Sequence, residues 1–168
     1  MRRRTLLQVG ATSAAFLAVA GVGLSLIAPA WQSPKLNAAG HAVFRAVALA
    51  VLEGSLPEGA AAKSAALDAH LLRVQDTIAG FPKTVQDELS LLLNMLTHAP
   101  GRWGLAGLKS DWADASTADV QTALQALRLS KLDLRQQTYQ ALRDITCAAY
   151  FADPSTWQAL GYGGPTEL

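Results

Sequence analysis

The sequence predicts an all-α protein: a helical bundle of about five principal helices behind an N-terminal signal or anchor helix. Three observations lead there. In five stretches after Leu36, apolar residues recur at the i, i+3, i+4 spacing of one helix face. Gly and Pro separate the first four of those stretches, with no long low-complexity tract between them. No segment alternates apolar and polar residues with period two for long enough to argue a sheet.

Residues 1–30 come first. Arg2, Arg3 and Arg4 open the chain, and after them no charged residue occurs before Lys35. The run Val9 to Ala30 is apolar and rich in Gly, Ala, Ser and Thr, and Ala28-Pro29-Ala30 has the small-x-small form of a cleavage site. Arg3-Arg4-Thr5-Leu6-Leu7 resembles the twin-arginine export consensus, with Arg3, Arg4, Leu6 and Leu7 as its signal residues. Three readings stand. The segment is cleaved after Ala30, or it stays as an anchor, since 22 residues suffice for a span that needs about 20. Otherwise it is a core helix behind a chance basic start. The twin-arginine route carries folded proteins, so the expected location is the periplasm, either free or held at the inner membrane.

The helices follow in order. Trp31-Gln-Ser-Pro34 reads as a linker and Asn37 as the N-cap of a helix running to about Glu53. Val43, Phe44, Val47, Ala48 and Val51 form its buried face. Gly54, Pro57 and Gly59 break it. A second helix covers about Ala60 to Ile78, with Leu67, Leu71, Val74 and Ile78 inward and Lys63, Arg73 and Asp76 on a wetter side. A third starts near Pro82. Its middle, Leu89 to Leu96, is apolar almost all round, which marks it as the central helix. His98 to Gly107 holds enough Gly and Pro to read as an irregular connection with room for a short turn. Ser116-Thr-Ala-Asp119 is a capping box for a fourth helix with Val120, Leu124 and Leu127 inward. Ser130 to Leu134 is a break or a bend. The last long helix runs from about Leu132 to Phe151, with Leu134, Leu142, Ile145, Ala149 and Tyr150 mostly inward. Asp153-Pro154 starts one short turn through Trp157 and Leu160, and Gly161 stops it in a left-handed conformation. The 138 residues after Ala30 thus make one all-helical domain, 31–168, with a core of its own.

That domain carries 11 basic and 13 acidic residues, and nothing in it suggests nucleic acid, which would want a concentrated basic face. The residues of catalysis are present without a constellation. There is no dinucleotide fingerprint and no phosphate loop. One cysteine cannot form Cys-x-x-Cys. His41, His70 and His98 form no metal-binding pair on a helix and read as surface or half-buried residues. No strand-turn-helix elbow frames a serine. The expectation is no catalytic residue, no cofactor and no metal on this chain.

Cys147 reads either as a small buried apolar residue or as a thiol bridging to another chain. Trp112 reads as core. Trp157 and Tyr162 are balanced between closing the core and anchoring an interface, where Trp and Tyr concentrate binding energy.

The C-terminal stretch resembles the gluconate 2-dehydrogenase subunit 3 family. The residues that carry the resemblance are Tyr150, Asp153-Pro154, Trp157 and Gly161-Tyr162-Gly163-Gly164-Pro165, together with the leader arginines Arg3 and Arg4. The resemblance implies a non-catalytic small subunit of a membrane-associated flavin dehydrogenase. It implies a large partner that holds FAD and oxidises a sugar, sugar acid or alcohol, often with a cytochrome c subunit. It implies export by the twin-arginine translocase with the folded large subunit aboard. The docking segment is then 150–165, with Tyr150, Trp157, Tyr162 and Pro165 facing the partner. The reading from another class is a stand-alone exported or membrane-tethered helical adaptor.

Overall fold

The computed structural model describes residues 31–32, 35–157 and 161–164, and the chain is all-α over these residues. The leader residues Arg3, Arg4, Leu6, Leu7, Ala28 and Ala30 lie outside the described residues, as do Leu160 and Pro165. Five principal helices are present: α1 (Ala38–Val51), α2 (Ala60–Ala79), α3 (Lys83–Thr97), α5 (Thr117–Arg128) and α6 (Asp133–Phe151). A short α4 (Ala99–Gly101) joins α3 to α5. No helix among the described residues is long and apolar enough to cross a membrane.

Local chemistry sets the helix ends. Asn37 Oδ1 accepts from Gly40 N at 2.9 Å, which starts α1. Gly59 at φ +89° precedes α2. Ser116 Oγ accepts from Asp119 N at 3.1 Å, and the same hydroxyl donates to the Asp119 carboxylate at 2.7 Å. The Asp119 side chain is too short to reach back to the cap N–H as a Glu would, so it closes the box on the serine instead.

Two expectations about connections are corrected. The stretch expected as a linker forms a minimal antiparallel ladder, β1 (Trp31–Gln32) with β2 (Lys35–Leu36). Leu36 is buried, and its N–H donates to Gln75 Oε1 at 3.2 Å, which pins the ladder to α2. The connection 98–107, expected to be irregular, is helical: α4 runs into a π-helical turn, Arg102–Ala106. Its reason is tertiary. Arg102, Leu105 and Ala106 are buried by this turn, and Gly107 at φ +73° ends it. A Cβ at Gly101 would overlap the Met95 carbonyl oxygen and sit 2.8 Å from its carbon, so only glycine lets α4 fold this tightly onto α3.

The hub also differs from expectation. Leu89 to Leu96 of α3 contains no exposed residue, as its composition implied. Yet the helix that touches α2, α3, α5 and α6 is α1. Ala46, Ala48 and Ala50 on α1 are small enough for several helices to approach its axis at once. One large core joins all five helices, and Ala48, Leu52, Leu67 and Tyr150 make a second, smaller cluster between α1, α2 and α6.

Candidate partner-docking site

The C-terminal segment is held by bonds from distant parts of the chain. Arg73 on α2 donates from Nε to the Ala149 carbonyl at 2.9 Å and pairs with the Asp153 carboxylate at 3.1 Å. Tyr150 Oη donates to the Ser55 carbonyl, in the loop after α1. These bonds fix the last turn of α6. Beyond it Asp153 Oδ1 accepts from Ser155 N at 2.9 Å, capping the 3₁₀ turn Pro154–Thr156. The Ser155 hydrogen bond and the Arg73 guanidinium hold the Asp153 carboxyl below its ordinary range. Thr156 Oγ1 donates to the Asp153 carbonyl at 2.7 Å.

Trp157 closes this turn on itself. Its indole Nε1 donates to the Phe151 carbonyl at 2.7 Å, and Tyr162 N donates to the Trp157 carbonyl at 3.1 Å. The Trp157 and Tyr162 rings lie 5.4 Å apart at 56°. Gly161 (φ +69°) reverses the chain between them, as its sequence position implied. Gly164 (φ +97°) passes over the indole, where a Cβ would be 3.6 Å from Trp157 Cζ3. Trp157 is half-buried and belongs to neither core cluster. Tyr162 is 50% exposed.

The expected site residues are therefore divided. Trp157 and Tyr162 stand together. Tyr150, expected to face a partner, does not: its ring is buried against Ala48, Leu52 and Leu67, with Phe151 edge-on at 5.2 Å. Burial raises its phenol pKa. The Ser55 bond makes Tyr150 a lock on the segment rather than a surface offered by it. Cys147 is half-buried on α6 and free. Burial pushes its thiol up, with the nearby Arg143 pulling the other way, so the reactive thiolate is disfavoured.

Sequence reasoning missed two members of this region. Arg73 reads as a wet-face residue, yet it is the clasp of the C-terminal turn. His70 reads as surface or half-buried, yet it is fully buried beneath Tyr150, with ring centroids 6.1 Å apart. Neither ring nitrogen has a hydrogen-bond partner among the described residues. Burial, with a smaller push from Arg73, lowers its pKa from 6.5 to about 4, so it is neutral at pH 7. Periodicity offers one faint signal: His70 lies three residues after Leu67 and four before Val74, on the buried face. His41 and His98 are half-buried as expected.

A groove lies beside α1. This groove of about 660 Å³ is lined by Leu36, Ala42, Ala46, Leu71, Trp112 and Val120, with the Arg45–Asp68 ion pair (2.6 Å) on its rim. Among the described residues, none of the expected site residues lines it. Among the described residues no three His, Cys, Asp or Glu side chains gather as metal ligands would.

Comparison of the chain with protein-family models, with curated proteins and with solved structures finds no match.

Proposed function

We propose that this chain is the non-catalytic small subunit of an exported, FAD-dependent dehydrogenase. In this reading it belongs with the gluconate 2-dehydrogenase subunit 3 proteins. It carries the folded flavin subunit through the twin-arginine translocase into the periplasm and helps it assemble at the membrane. The observation that carries the reading is the C-terminal motif, Tyr150 through Pro165, in which Tyr162 stands open on a turn fixed by Asp153, Trp157 and Gly161. A ring already held in place loses little freedom on binding, and such anchors dominate interface energies. FAD sits on the partner in this reading, and a cytochrome c subunit is a further candidate partner.

Tyr162→Ala is expected to leave the melting temperature of the domain unchanged. It should weaken capture of the flavin subunit by about 2 kcal/mol, roughly thirtyfold. Trp157→Ala should weaken capture too, because Tyr162 loses the ring it leans on. It should also cost the isolated domain about 1 kcal/mol, the worth of one hydrogen bond, not the loss a core tryptophan would show. Melting curves and pull-downs of both variants decide this, and undiminished capture by both would end the docking proposal.

The export step has its own test. Arg3→Lys with Arg4→Lys should strand this chain and its flavin partner together in the cytoplasm. Fractionation that finds either protein still in the periplasm would remove the twin-arginine reading.

A further inference from the structure

We propose that the turn between α5 and α6 is a contact site for an anionic lipid bilayer. It is independent of the dehydrogenase reading. Leu129 and Leu132 are 66% and 63% exposed, the two most exposed large apolar side chains among the described residues. They share one turn, Arg128-Leu-Ser-Lys-Leu132, and Arg128 and Lys131 beside them are exposed as well. From Arg128 to Arg135 three cations face one acid, Asp133, in a domain with 11 basic and 13 acidic residues. None of the ion pairs among the described residues engages Arg128, Lys131 or Arg135.

The turn is stiff. Ser130 Oγ accepts from Leu132 N at 3.2 Å, and Gln136 Nε2 donates to the Ser130 carbonyl at 2.7 Å. Two exposed leucines are thus held on one short turn. Leucine is under-represented among protein-interface anchors. A bilayer interface takes leucine into its acyl boundary while Lys and Arg extend to the headgroups. Anionic headgroups supply the charge complementarity.

The test uses the full chain with Cys147→Ser and Leu129→Cys, the new thiol carrying a bimane label. The protein is mixed with phosphatidylcholine vesicles, with and without about one third phosphatidylglycerol. Residues 1–30 are the same in every variant and contribute equally to all. The label is expected to shift to the blue and be quenched by spin-labelled lipid on the anionic vesicles. Arg128→Gln with Lys131→Gln should lower the lipid-bound fraction of the turn on the order of tenfold. Leu132→Ser should lower it too, and an unchanged helical spectrum in all variants shows that folding is intact. A label that stays in water on both vesicle types overturns the proposal. So does quenching that ignores both substitutions. A label shielded by an added soluble protein but by neither vesicle would make the turn a protein contact instead.

Discussion

Trp112→Ala is expected to cost the fold about 3–5 kcal/mol, the range for deleting a large aromatic from a core. Trp112 is 2% exposed, and its ring packs in the main cluster. Its Nε1 donates to the Leu96 carbonyl at 2.7 Å. That carbonyl belongs to the last turn of α3, and the residue four positions on, Pro100, has no N–H to offer it. One side chain therefore fills the core and ends a helix. For a domain of this size the loss corresponds to a melting temperature lower by about 10–20 °C. Trp103→Ala is the control. Trp103 is exposed and its indole N–H donates to the Lys109 carbonyl at 3.0 Å, so loss of the side chain should stay within about 1 kcal/mol. Thermal melts that show the two variants equally stable would mean that Trp112 does not hold the core together.

The second large effect is on pH dependence. His70 is neutral in the fold and titrates near 4, against 6.5 when exposed. Between those values the unfolded chain binds a proton that the folded chain refuses. Stability is therefore full above about pH 6.5 and falls as the pH drops toward 4, by about 1.4 kcal/mol per unit. The whole window is worth about 3 kcal/mol, a large share of the 5–15 kcal/mol typical of a domain. A proton on His70 would place a charge in a cluster of Ala48, Leu52, Leu67 and Tyr150, close to the Arg73 cation. His70→Leu should flatten the profile and match or exceed the parent at neutral pH, because the ring nitrogens it removes have no partners. Urea unfolding at pH 7.5 and pH 5 measures both. A parent and variant with the same slope between these values would show that His70 is not the group responsible.

The five long helices were legible because each is amphipathic over many turns, and their caps are local. Asn37, Ser116 and Asp153 act on N–H groups two or three residues away, so neighbouring letters suffice to see them. The ladder at 31–36 is too short to show a period. The turn at 99–106 hides behind Pro100, Gly101 and Gly104, since its helicity comes from what Arg102, Leu105 and Ala106 bury. Among the candidate site residues, the Trp157–Tyr162 pair and the Gly161 reversal follow from adjacent letters. The role of Arg73, the burial of His70 and the loss of Tyr150 from the surface do not. Each depends on a partner across the fold, and no spacing within one helix encodes it.

The clasp on the C-terminal turn has a consequence for the order of events during synthesis. Arg73 meets Ala149 across 76 positions of sequence, and Tyr150 meets Ser55 across 95. Both partners of each bond are on hand only once the chain has been made through Tyr150, and the entropy of closing so long a loop must be offset by the packing between them. A chain that still lacks α6 therefore cannot hold the turn bearing Trp157 and Tyr162 in this way. Whatever recognises that turn reads, in the same act, that α2 and α6 have already been brought together.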